Sequence, residues 1–120
     1  MNIEQAEAFA AEWISAWNSH DLDRILSHYE DDFEMSSPVI VQTMNEPSGR
    51  LKGKEQISRY WAKALARYPD LSFEKLYVLA GVSSVTIVYN GVRGLSAEVF
   101  HFSGTGRVSS AYAHYVASVP

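Results

Sequence analysis

Apolar positions along the chain fall into two regimes. In the first, Ile3, Ala6, Ala10, Trp13, Ile14 and Trp17 recur every three or four residues with acids between them, which predicts an amphipathic helix. Asn2 suits its N-cap, and Gln5 sits three residues on, as a capping box requires. Asn18-Ser19-His20-Asp21 breaks the pattern. A short second helix follows, with Leu22, Ile25, Leu26 and Tyr29 on one face, and Glu30-Asp31-Asp32 predicts the turn that ends it. Phe33-Glu34-Met35-Ser36-Ser37 alternates like a strand and Pro38 closes it. Residues 42–53, punctuated by Asn45, Pro47, Ser48, Gly49 and Gly53, read as a loop. A third helix runs from about Lys54 to Tyr68, with Ile57, Tyr60, Trp61, Ala64, Leu65 and Tyr68 inward, and Pro69 stops it.

The second regime is strand-like. Segments 71–80, 84–90, 94–102 and 107–117 are rich in Val, Tyr, Phe, Ile, Ser and Thr, and glycine-containing connections separate them. Four such segments with short links predict an antiparallel meander. Helices first and strands after define an α+β class. A chain of 120 residues with three Trp, seven Tyr and five Phe reads as one domain over 1–120. To bury so many rings, its sheet must curl around the helices and leave a cone-shaped interior, the kind of space that holds a ligand.

Composition narrows the function classes. A formal net charge of −4 argues against a dedicated nucleic-acid binder. No apolar run reaches the ~20 residues of a membrane span, and the first residues lack a signal peptide's basic and apolar regions, so a cytoplasmic location is expected. Cysteine is absent, which removes thiol catalysis and thiolate metal sites. Charge is uneven: residues 1–34 hold nine acids and one base, whereas residues 50–67 hold six bases and one acid. Two solvated faces attracting each other across the fold would explain this. So would a basic patch for an anionic ligand, although no phosphate-binding motif accompanies it.

Several local strings, in order, resemble the SnoaL-like and ketosteroid-isomerase-like proteins of the nuclear-transport-factor-two-like superfamily. Trp17-Asn18-Ser19-His20-Asp21-Leu22-Asp23 is similar to the family's helix-breaking segment. Tyr29-Glu30-Asp31-Asp32-Phe33 is similar to its helix-to-strand junction. Gly53 with Ile57 and Tyr60-Trp61 is similar to its third helix, and Phe102-Ser103-Gly104-Thr105-Gly106-Arg107-Val108 to its final hairpin. The resemblance covers nearly the whole chain. It implies a cone-shaped barrel in which a curved antiparallel sheet wraps three N-terminal helices, with a deep apolar pocket and frequent homodimers. It does not fix a reaction, because this fold hosts many.

Glu98 is the candidate catalytic residue. Alternation in Ala97-Glu98-Val99-Phe100-His101-Phe102 puts it on one face with Phe100 and Phe102. A carboxyl desolvated among rings should titrate high and work as a proton donor or acceptor near neutrality. The other possibility is a solvent-facing Glu or an ion pair with a base such as Lys75. The resemblance matches Glu98 to the neutral carboxylic acid of the isomerase oxyanion hole. It matches the phenol donor to Trp13 and the general base to Ser37, which has no useful pKa, so steroid isomerisation by the usual proton shuttle is not expected. It also matches Tyr29 and Trp61 to aromatic pocket positions. Trp13, Trp17, Tyr29, Tyr60 and Trp61 are either core or ligand box, and their polar tips need partners when buried. With Ser37 and Phe100 they complete the candidate ligand-binding set.

The expected ligand is a small apolar, cyclic or aromatic molecule in the cone. Two readings stand: a SnoaL-like isomerase, cyclase or dehydratase using Glu98, or a ligand-binding or assembly domain without turnover. No metal and no cofactor are expected, since the four His show no ligand spacing and the hairpin glycines precede a strand. If Phe102 pairs with Arg107, His114 faces Leu95, far from His101. The outward set Val99, His101, Val108, Ser110, Tyr112 and His114 is too apolar for water alone. It fits either a homodimer surface or a face covered by the chain's own C-terminal residues.

Overall fold

The computed structural model describes residues 1–117. Its elements run α1 (Ile3–Ser19), α2 (Leu22–Leu26), β1 (Tyr29–Ser36), α3 (Pro38–Thr43), β2 (Arg50–Lys52), α4 (Lys54–Arg67), β3 (Glu74–Ala80), β4 (Ser84–Gly91), β5 (Gly94–Phe102) and β6 (Val108–Tyr115). The six strands form one curved, unclosed sheet in the order β2-β1-β6-β5-β4-β3. The helices pack on its concave face, as an α+β class requires.

Local chemistry sets the helix ends. The Gln5 backbone N–H donates to Asn2 Oδ1 at 2.8 Å, and the Asn2 N–H donates to Gln5 Oε1 at 3.0 Å, so the capping box is complete. His20 ends α1 with a left-handed backbone, φ 60°, and its Nε2 lies 2.8 Å from the Leu71 carbonyl. The Asn18 side chain binds both the N–H and the carbonyl of Phe73, at 2.6 and 3.0 Å. The helix-breaking segment therefore also ties α1 to the approach to β3.

Four features differ from the sequence reading. The second helix stops at Leu26, and the acids 30–32 lie in β1, not in a turn. Tyr29 pairs with Val108, which draws this segment into the sheet. Second, residues 42–53 are not all loop. Ser37 caps an extra short helix, α3, with Pro38 in its first turn, where a missing N–H costs nothing. Residues 50–52 then pair with β1 as an edge strand. Third, the sheet is mixed. The strands β3 to β6 form the antiparallel meander, but β1 runs parallel to β6.

Fourth, the last hairpin has a different register. Phe102 pairs with Val108, and an irregularity before it sets His101 opposite Ser110 and His114 opposite Ala97. The extra residue turns Val108 inward, where it is fully buried, so it leaves the outward set. Beyond the irregularity parity is as read: Ala111 and Ala113 are buried and Tyr112 is exposed. The alternative cover for that face, the C-terminal residues, extends into 118–120, outside the described residues.

Candidate functional site

A cavity of about 450 Å³ lies between the helices and the concave sheet. Its volume suits a small organic ligand. Trp13 and Trp17 from α1 form one wall, and Tyr60, Trp61 and Ala64 from α4 form another. Tyr89 of β4, Glu98 of β5 and Tyr115 of β6 form the floor. The rings lock one another. Trp13 stacks on Phe73 with centroids 5.6 Å apart, and Trp17 meets Trp61 edge-on at 5.2 Å. Such pairs add about 0.5–1.5 kcal/mol each beyond the area they bury.

Of the eight residues singled out in the sequence, Glu98, Trp13, Trp17, Tyr60 and Trp61 line this space. The other three, Tyr29, Ser37 and Phe100, stand behind the wall. Tyr29 lies on β1 and its hydroxyl accepts from Trp13 Nε1 at 3.0 Å. Phe100 is fully buried against Phe9 and Trp13. Ser37 is spent on capping: its Oγ accepts from the Val39 N–H at 3.2 Å and from the Tyr60 hydroxyl at 3.4 Å. Tyr89, Tyr115 and Phe73 also line the cavity and lie outside the set that the sequence singles out. For Tyr89 the signal was there, since it alternates with the buried Val85 and Ile87.

Glu98 is only 4% exposed. Across the strands it faces Ile87 and Ala113, and the small alanine leaves room above the sheet. Among the described residues no side chain or backbone group forms a hydrogen bond or ion pair with its carboxyl. Lys75, the alternative partner, binds Glu7 at 3.3 Å instead. Burial without compensation pushes the Glu98 carboxyl up to about 8. Tyr29, Tyr60, Tyr89 and Tyr115 are all raised as well, chiefly by burial and further by the Glu98 charge. The arrangement is thus an acid, mostly protonated at pH 7, inside an aromatic box carrying neutral phenols. It can donate a proton or a hydrogen bond to an uncharged group placed in the cavity.

A helix-covered curved sheet enclosing an aromatic cavity with one buried carboxylic acid defines the class. The model of the SnoaL-like domain matches residues 10–117, and the chain belongs to that family. No curated protein matches the chain. Among solved structures it is similar to a SnoaL-like protein of unknown function from Burkholderia thailandensis E264, at 59% identity over 96% of this chain and 97% of that one, TM-score 0.93. An NTF2-like protein of unknown function from Cytophaga hutchinsonii ATCC 33406 shares the fold at 13% identity, covering 92% and 89%, TM-score 0.71. So does SalBIII, an epoxide hydrolase/cyclase-like enzyme of pyran ring formation in the polyether salinomycin, at 17% identity, covering 98% and 95%, TM-score 0.76.

Proposed function

We propose that this single domain is a small-molecule enzyme of the isomerase, cyclase or dehydratase kind, acting on an apolar cyclic substrate with Glu98 as its acid. The observation that carries the reading is the unpartnered, buried Glu98 carboxyl on the floor of an aromatic cavity. A structural glutamate would be paired or solvated, because desolvating an unpaired carboxylate is costly. Protonated at pH 7, it gives its proton to a substrate oxygen or carbon as charge develops there. The carboxylate left behind takes a proton from another substrate position, so the acid is restored at the end of the cycle. Trp13, Trp17 and Trp61 stack on the ligand, and Tyr60, Tyr89 and Tyr115 offer hydroxyls to its polar atoms. Tyr29, Ser37 and Phe100 serve from behind, by orienting Trp13 and Tyr60 and by filling the wall. SalBIII, an epoxide hydrolase/cyclase-like enzyme, carries chemistry of this kind on the same fold.

The alternative is a binding domain without turnover, favoured by the lack of a second carboxylate among the described residues that line the cavity. A panel of cyclic enones, β-hydroxyketones and epoxides separates the two. Turnover that vanishes in Glu98→Gln while binding persists supports the enzyme. Binding with no turnover of any panel member in the unsubstituted chain overturns it in favour of the binding domain. We also propose a homodimer through the outer face of β5 and β6, where His101 and Tyr112 meet edge-on at 5.6 Å and Tyr112 stays exposed.

A further inference from the structure

The rim of the cavity carries charge that the floor does not. Lys63 and Arg67 of α4 and Arg93 of the β4–β5 turn all line the cavity and all are exposed. Among the described residues none of the three forms an ion pair. Arg24, Lys52, Lys54, Arg59 and Lys75 are each paired with a carboxylate, and Arg50 and Arg107, which form no ion pair among the described residues, lie outside this cavity. Among the described residues the only acid lining the same cavity is Glu98, which is mostly uncharged at pH 7. In a chain with 14 acids and a net charge of −4, three cations thus share one rim with no ion-pair partner among the described residues. Lys63 and Arg67 stand four apart on one helix, where like charges repel.

The two guanidinium groups are also held in place. Arg67 lies over the Tyr68 ring at 5.7 Å, and its Nε donates to the Tyr68 hydroxyl at 3.2 Å. Arg93 lies over the Tyr115 ring at 5.8 Å. Both rings line the cavity. Within cation–π reach of these rings, the guanidinium groups lose less freedom when an anion arrives than free side chains would. Arg93 reaches electrostatically inward, opposing the rise in Tyr60 and Tyr115. An anion at Arg93 is therefore at the edge of the Glu98 chamber.

We propose that the ligand is an amphiphilic organic acid, its flat apolar body seated among the Trp and Tyr rings and its carboxylate held at the rim by Lys63, Arg67 and Arg93. This rests on the reading above that the cavity binds a small molecule, and it names the substrate class. The acid end fixes which end of the body reaches Glu98, so the rim gives orientation as well as affinity.

Isothermal titration with two probes of matched size tests it: 2-naphthoate and its neutral counterpart 2-naphthalenemethanol, at pH 7 and low salt. The chain should bind naphthoate roughly tenfold more tightly, the scale of a few half-exposed charge contacts. In the double variant Arg67→Gln/Arg93→Gln the two affinities should converge to within about twofold by loss of naphthoate binding alone. Arg67→Lys/Arg93→Lys should keep most of the preference. Ala64→Trp, which fills the cavity, should abolish binding of both probes. Equal affinities in the unsubstituted chain overturn the proposal and leave the cavity reading intact. A preference that survives when all three cations become Gln overturns it too, as does binding that survives Ala64→Trp. Failure of both probes to bind overturns the cavity reading and this inference with it.

Discussion

Replacing Glu98 by Gln should leave stability nearly unchanged at pH 4.5 and raise it increasingly as pH rises to 7. The carboxyl titrates at about 8 in the folded chain and near an ordinary glutamate's 4.5 when unfolded. Below pH 4.5 both states are protonated and folding costs nothing through this group. Between the two values the folded state holds a proton that the unfolded state has released. Stability therefore falls as pH rises, at about 1.4 kcal/mol per pH unit, until the folded carboxyl ionises above 8. At pH 7 the accumulated penalty is about 3 kcal/mol. Glutamine is the neutral isostere of the protonated acid and carries no such penalty. The two chains should be nearly equal at pH 4.5, and the variant should gain steadily to about 3 kcal/mol by pH 7.

The measurement is urea unfolding of both chains at pH 5, 6, 7 and 8, followed by tryptophan fluorescence. Trp13, Trp17 and Trp61 sit around the cavity, so the probe reports on the region concerned. Both chains are run at one protein concentration, so that self-association cancels. Every other titrating group is shared, and the difference curve isolates Glu98. A difference that stays flat, below about 0.3 kcal/mol per pH unit, would refute the claim that Glu98 is desolvated and unpartnered. A variant that loses stability at every pH would show that the carboxyl makes a bond that the structure does not contain.

Two further outcomes follow from neighbouring contacts. Trp13→Phe removes the N–H that binds the buried Tyr29 hydroxyl at 3.0 Å and opens a void in the ring cluster; the expected loss is about 2–4 kcal/mol in urea unfolding, and a loss below about 1 would mean that the bond is idle. Tyr112→Asp puts a charge on the proposed sheet-to-sheet interface and should give monomers by sedimentation at micromolar concentration; a variant sedimenting as the unsubstituted chain does would rule that face out.

What the sequence made legible depended on how local its cause was. The ends of α1 were readable because Asn2, Gln5 and the breaker at 18–21 act within a few residues. The short helix α3 was not, because Val39, Ile40 and Val41 are β-branched and favour strands. What holds them helical is tertiary: Ile40 is fully buried in the core, and Ser37 is fixed between the Val39 N–H and the Tyr60 hydroxyl. The parallel pairing of β1 with β6 joins residues more than seventy positions apart, beyond any local pattern. The hairpin register failed for a smaller reason. One extra residue on β6, Ser109 between Val108 and Ser110, opposite the adjacent His101 and Phe102, reverses parity only at Val108 and restores it afterwards.

The site divides along the same line. Strand alternation is a strict period of two, so Glu98 could be assigned to the face of Phe100 and Tyr89 to that of Ile87. Exposed cations obey no such period, because solvent accepts them anywhere. The basic run over 50–67 therefore looked like one feature, although the fold makes two of it. Lys52 and Lys54 turn to Glu34 and Asp31 at 3.8 and 3.4 Å, the attraction across the fold that the charge blocks suggested. Further along, Arg59, Lys63 and Arg67 make a stripe at four-residue spacing on α4. Only the first is neutralised within its helix, by Glu55 at 2.6 Å. The spacing that brings Lys63 and Arg67 to one helix face is visible in the sequence, and repulsion between like charges so placed disfavours the helix by a few tenths of a kcal/mol. That cost marks where the surface departs from simple solvation. The fold adds Arg93 from a turn some thirty residues away, and no period in either segment could have announced that the three share one cavity rim.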